Sequence, residues 1–198
     1  VTDERGVAGC IGIYPFTLRI GKASLRAGGV GSVSVRQDLR GGGLMSAMLC
    51  NTVDTLEHDG YDMSWLGGDR FRYGNYGWEL GGRRVEYMIA VRDLLRRFPA
   101  IKPIRPRKPK ASDTAALRRL YNRIGHGVSR PASIWPVHLR SKGFAFSVVQ
   151  SGRQTAYLAC NSGNPEQIVE LSGSPDLFVA LLLRHARAHG IQYMRIDV

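Results

Sequence analysis

The chain has few acidic residues in its second half, only three cysteines, and no apolar stretch long enough to cross a bilayer. Each shortage excludes something. The longest apolar runs, such as Leu177 to Leu183, fall far short of the roughly 20 residues that a membrane span needs. No basic start followed by an apolar core marks a secretory signal. Cys10, Cys50 and Cys160 are odd in number and widely spaced, which argues against a disulfide framework or a thiolate metal site. A reduced, cytoplasmic setting is the expectation. His126, His138, His185 and His189 show no ligand spacing with carboxylates or cysteines, so no metal is expected either.

What is present is an ordinary globular composition, with 43% hydrophobic and 22% charged residues, enough for a real core. The net charge of +12 is unevenly spread. Residues 1–100 hold 13 Lys/Arg against 11 Asp/Glu, whereas residues 101–198 hold 15 against 5. Five basic residues (Lys102, Arg105, Arg107, Lys108 and Lys110) crowd a segment punctuated by Pro99, Pro103, Pro106 and Pro109. No helix interior or central strand tolerates that proline spacing. The segment reads as a solvated linker or an edge strand. A nucleic-acid surface would need interleaved aromatics for base stacking, and these are lacking.

The first half reads as strand, strand, strand, helix, strand. Gly6 to Tyr14 is an apolar run, Phe16 to Ile20 alternates like a half-buried strand, and Gly21-Lys22 offers a turn before Ala23 to Ala27. Val30 to Val35 is the next strand. From Leu44 to His58 the apolar residues recur at three and four residue intervals, one face of a helix that Asp59-Gly60 closes. Tyr61 to Leu66 returns as a strand, with parallel geometry expected after a helical crossover. Beyond the proline segment, Ser112-Asp113 precedes a helix through Arg123. Phe144 to Gln150 and Thr155 to Cys160 read as a hairpin, and Gln167 to Leu171 as a strand. Pro175 to His189 follows as a helix and Tyr193 to Val198 as a last strand. The order of the second half overlaps that of the first without any literal repeat, which suggests two copies of one fold. The expected domains are 1–98, a linker or first strand over 99–110, and 111–198.

Chemistry concentrates between Val33 and Ser46. The strand Val33-Ser34-Val35 runs into Arg36-Gln37-Asp38-Leu39-Arg40, then Gly41-Gly42-Gly43, then the helix opening Leu44-Met45-Ser46. The first turn of a helix leaves backbone N–H groups unpaired and carries partial positive charge. Three consecutive glycines let such a backbone approach a pyrophosphate, and Arg40 adds a cation beside it. No Gly-Lys-Ser/Thr follows, so this is no P-loop. Asp62 lies near the distance a dinucleotide fingerprint requires, but the incoming strands form a meander rather than a first βαβ unit. A glycine-rich turn without any ligand is the plain alternative.

The pattern Val35-x-x-x-x-Arg40-Gly41-x-Gly43-Leu44 resembles the acetyl-coenzyme A motif of the GNAT N-acetyltransferase superfamily, with Arg40, Gly43 and Met45 in its three slots. Met45 departs from the usual Gly/Ala but is similar to the Eis-like (enhanced intracellular survival) branch. Tyr73-Gly74-Asn75-Tyr76-Gly77-Trp78 resembles a second signature of that branch, Tyr-Gly-Arg-Phe-Gly-Tyr. The resemblance implies an α+β, three-layer fold in two tandem GNAT-like domains, with mixed central sheets flanked by helices. It implies acetyl-coenzyme A as co-substrate, held by Val33, Ser34, Val35, Arg40, Gly41, Gly42, Gly43, Leu44, Met45 and Ser46. The acceptor would be a primary amine on a small molecule such as an aminoglycoside, a peptide, or a lysine side chain. Tyr73 stands where the branch places its general acid, which protonates the departing thiolate. Asp69 and Glu79 flank it as candidate local helpers.

In that branch the general base is the carboxylate at the end of a third, sterol-carrier-like domain, so Val198 is not assigned that role. The resemblance also implies that a strand and two helices precede Val1, that the second half is a degenerate copy framing the substrate cleft, and that the protein is a homo-oligomer. The turn Ser172-Gly173-Ser174-Pro175 in the second half has no arginine and one glycine, which fits a copy without cofactor. A non-catalytic binding or scaffold module derived from the same family is the alternative.

Overall fold

A computed structural model of the chain describes residues 1–81 and 85–197. Contacts divide these into two units, residues 1–81 with 125–129, and residues 85–124 with 130–197.

In the first unit, β1 (Thr2–Asp3) and β2 (Gly6–Val7) form a short antiparallel pair. β3 (Gly9–Ile20) and β4 (Ala23–Val35) then form one long antiparallel hairpin. The sequence reads three short strands here. The ladder instead runs through Pro15, because β3 has a neighbour on its other side only from Leu18 onward, so the missing N–H falls on an edge. α1 (Leu44–His58) follows and buries Met48, Leu49, Thr52 and Leu56. It crosses to β5 (Met63–Leu66), which lies parallel to β4 as expected. α2 (Arg70–Tyr73) leads into a 3₁₀ turn, Gly74–Tyr76. The sheet order is β5-β4-β3-β7, and its fourth strand, β7 (His126–Val128), is supplied from much later in the chain.

The second unit is a five-stranded sheet ordered β6-β11-β10-β9-β8. β6 is Glu86–Ala90, and α3 (Val91–Arg97) and α4 (Thr114–Asn122) follow it. After α5 (Trp135–His138) come β8 (Phe144–Ser151), β9 (Gln154–Asn161) and β10 (Asn164–Gly173), an antiparallel meander. α6 (Pro175–His189) then carries the chain to β11 (Tyr193–Asp197), parallel to β10. Alternate residues of β9 feed two cores. Ala156, Leu158 and Cys160 pack with Leu177, Leu181 and Ala186 of α6, while Tyr157 and Ala159 pack with Leu117 and Tyr121 of α4 and with Trp135. Helices on both faces make three layers.

The break between units does not fall at Pro99. Glu86–Ala90 takes its ladder partners from Tyr193–Asp197, which places 86–97 with the second sheet. Within the proline segment, Arg107 makes a single bridge to Val148, with N–H to carbonyl distances of 2.9 and 2.8 Å. Its guanidinium is a bidentate partner of the buried Asp113 at 2.6 and 2.8 Å, so one of the five clustered cations is structural. Val198, the end of the expected last strand, lies outside the described residues.

Candidate functional site

The parallel pairing of β4 with β5 ends at Val30 and Leu66, while β4 continues to Val35. Beyond Val30 its backbone therefore has no ladder partner on that side among the described residues. On its other side the register with β3 shifts. Gly31 opposes Gly12 and Ser34 opposes Cys10, so Ser32 and Val33 together face Ile11 alone, which is a β-bulge. Ser32 sits at φ 55°, the one non-glycine residue with positive φ among those described. Its hydroxyl shares a 2.8 Å hydrogen bond with the Tyr14 hydroxyl, and its carbonyl accepts from Cys10 Sγ at 3.2 Å.

The loop after β4 is held from one end. Arg36 bridges Asp3 at 2.5 Å and Asp38 at 2.7 Å. Its guanidinium, hydrogen-bonded to both, holds the two carboxyls below their usual range, and they raise the Arg36 value in turn. Arg40 differs. Its Nε donates to the Val35 carbonyl at 3.3 Å, and it has no ion pair among the described residues. Gly41 and Gly43 sit at φ 82° and 79°, in the left-handed region. An added Cβ at either would meet nothing within 4 Å, so conformation rather than space calls for glycine.

Gly43 caps α1, and no side chain occupies the cap. The first intrahelical bond runs from the Ala47 N–H to the Gly43 carbonyl at 3.0 Å. The N–H groups of Leu44, Met45 and Ser46 precede it and have no helical partner. Glycine backbone, unpaired donors and an exposed arginine fit a pyrophosphate.

The tyrosine segment packs beside this helix end. The Tyr76 hydroxyl donates to Ser46 Oγ at 2.6 Å. Trp78 Nε1 donates to Ser64 Oγ at 3.0 Å, and that hydroxyl donates to the Gly28 carbonyl at 2.9 Å. The Tyr73 ring lies against the backbone of Gly68, two residues past the end of β5. Tyr73 is half-buried, and its hydroxyl makes no hydrogen bond among the described residues. The flanking acids are engaged. Asp69 caps α2 by accepting from the Phe71 N–H at 2.9 Å, and Glu79 pairs with Arg70 at 3.1 Å.

The residues singled out in the sequence thus gather at one end of the first sheet. Ser32 and Tyr14 are additional. The signal for them is the run Gly28-Gly29-Val30-Gly31-Ser32 opposite Gly12, since glycines clustered inside a strand pattern mark a bulge or a close backbone approach. No group of three or more His, Cys, Asp or Glu side chains among the described residues could hold a metal. No described helix is long and apolar enough to cross a membrane.

Residues 1–81 match the family described as Acetyltransferase (GNAT) domain. The fold resembles that of a GCN5-related N-acetyltransferase from Kribbella flavida, at TM-score 0.74 and 18% identity over 98% of this chain and 51% of that one. A conserved protein from Enterococcus faecalis V583, described as a probable N-acyltransferase, gives 0.71 and 18% over 97% of this chain and 52% of its own. Eis1 from Mycobacterium abscessus gives 0.64 and 15%, with 99% and 54% covered. The chain spans about half the length of these proteins, and at such identities the likeness is one of fold. No curated protein matches the chain in sequence. Residues 1–81 are thus similar to the GNAT family of acetyltransferases, and the chain has the α+β fold of the GCN5-related N-acetyltransferase structures it resembles.

Proposed function

We propose that the protein is an N-acetyltransferase of the Eis-like branch, moving an acetyl group from acetyl-coenzyme A to a primary amine on an aminoglycoside-like small molecule or a lysine side chain. One observation carries the reading. The uncapped N-terminus of α1, preceded by two left-handed glycines, lies directly after the strand that leaves its parallel neighbour. A pyrophosphate suits the first feature and an extended amide-bearing arm suits the second. The signature Tyr73 to Trp78 and the likeness in fold to Eis1 from Mycobacterium abscessus support the branch.

In this reading the N–H groups of Leu44, Met45 and Ser46, with Arg40, hold the pyrophosphate. The partial positive charge of the helix end and the guanidinium both favour it. Backbone groups of the stretch Val33-Ser34-Val35, on the side that β5 leaves open, bond the pantetheine amides and the acyl carbonyl. Donors fixed there stabilise the charge that develops on that oxygen as the amine attacks directly in a ternary complex. Tyr73 gives its proton to the departing sulfur. A phenol is an adequate acid for a thiolate at neutral pH, and an ungated hydroxyl is free to make that contact. Asp69 and Glu79 already have partners, so the general base is not drawn from them.

The second unit is read as a second, degenerate GNAT-like domain. Its β8-β9-β10 meander, α6 and parallel β11 repeat the order of β3-β4, α1 and parallel β5. Its helix opens on Gly173-Ser174-Pro175, with one glycine and without the arginine of the first.

The test is thiol release from acetyl-coenzyme A with a panel of amines, together with thermal protection by coenzyme A. Binding stabilises a folded state in proportion to RT ln(1 + [L]/Kd). Amine-dependent thiol release with protection is expected. Absence of protection at millimolar ligand would sink the reading.

A further inference from the structure

We infer that Tyr14 is a positioning residue for acyl transfer, acting through Ser32 to hold the β4 bulge in the shape that receives the acyl carbonyl. The inference rests on the function proposed above and adds a residue to it. Three observations lead here. First, Ser32 occupies left-handed space at φ 55°, which costs a non-glycine residue something on the order of 1–2 kcal/mol unless neighbours hold it. Second, both of its contacts come from one face of β3, the Tyr14 hydroxyl at 2.8 Å and the Cys10 thiol at 3.2 Å. Third, the Tyr14 ring is seated for this contact. Cβ atoms added at Gly12 and Gly31 would stand 2.9 and 3.3 Å from it, so the two glycines, one on each strand, leave the trough in which the ring lies.

The geometry makes little sense as core packing. Tyr14 is 55% exposed, so burial of the ring is not what fixes it. The bulge lies where β4 has already left β5, and it sets the direction of the peptide groups from Ser32 to Val35. A bulge free to relax into regular register would turn those groups away from the opening. Tyr14 thus ties the orientation of the proposed acyl-binding backbone to the rigid hairpin beneath it. Preorganised donors of this kind act on the transition state more than on ground-state binding.

The experiment compares Tyr14→Phe, Ser32→Gly and the double variant. Tyr14→Phe keeps the ring and loses one neutral hydrogen bond, so kcat should fall about fivefold. Affinity for free coenzyme A should stay as in the unsubstituted chain, because the pyrophosphate loop is untouched. The preference for acetyl-coenzyme A over coenzyme A in binding should change by less than kcat does. Ser32→Gly removes both the strain and the hydroxyl that Tyr14 bonds. In that background Tyr14→Phe should have no further effect, whereas a purely structural tyrosine would show additive losses. Wild-type kcat in Tyr14→Phe, or additivity in the double variant, would overturn the positioning role alone. No coenzyme A affinity in the unsubstituted chain would overturn the proposed function, and this inference with it.

Discussion

The Tyr76 hydroxyl lies 2.6 Å from Ser46 Oγ, which joins the segment carrying Tyr73 to the first turn of α1, the helix that follows the three glycines. Ser46 is thus committed at its side chain while its backbone N–H is left over. Tyr76→Phe should therefore loosen the tyrosine segment and leave the helix end intact. We expect a stability loss of about 1 kcal/mol, the usual worth of one such bond. Denaturant unfolding should report it as a lower midpoint at unchanged slope.

Tyr73→Phe separates chemistry from binding. The ring stays against Gly68, and only the hydroxyl is lost. A fall in kcat of about 100-fold is expected for loss of a general acid. The dissociation constant for acetyl-coenzyme A, from calorimetry, should not move. Unchanged turnover would remove Tyr73 from the chemistry.

At Gly43 the question is backbone shape. Gly43→Ala introduces no clash but must hold φ near 79°. The strain, about 1–2 kcal/mol, corresponds to roughly tenfold weaker coenzyme A binding if the loop yields. Gly42→Ala, at a position whose φ is not positive, should be milder.

The second unit offers a pH test. Glu170 accepts from Arg130 at 2.6 Å and from the Tyr157 hydroxyl at 3.1 Å, with His138 at 3.4 Å from the same carboxylate. Burial pushes the Glu170 carboxyl up, but His138 and Arg130 together outweigh it and leave it below its ordinary 4.5. A carboxyl depressed on folding stabilises the fold fully above its unfolded value, and that stability is lost as pH falls through the folded one. Unfolding measured from pH 6 downward should thus show loss below about 4.5. Glu170→Gln should flatten that slope. It should also cost about 3 kcal/mol at pH 7, because Arg130 is left largely buried without its counter-ion.

The sequence makes the periodic elements plain. α1 and α6 coincide with their expected spans because each has an apolar face, and the parallel placement of β5 follows from the crossover. The glycine turn before α1 is equally open to reading, since Gly41 and Gly43 have a local reason to be glycine. What escapes is pairing at a distance. Glu86–Ala90 carries no mark that its partner is Tyr193–Asp197, over a hundred residues away, and His126–Val128 is too short to show any period. The bulge escapes for another reason. A register shift depends on both strands, and Ser32 is an unremarkable serine until Gly12 and Tyr14 are seen opposite.

β7 has a consequence for how the first sheet comes into being. Among the described residues, the outer edge of β3 at Leu18, Arg19 and Ile20 is covered by residues 126–128 alone. During synthesis, at about 5–20 residues per second, the outer edge of β3 waits several seconds for its partner. Over that interval Leu18 and Ile20 belong to an open strand, the kind of surface that pairs with other chains. The segment that the family match delimits, residues 1–81, therefore leaves out the strand that covers Leu18 to Ile20. A fragment cut after it should aggregate, where one reaching past Ser129 should not.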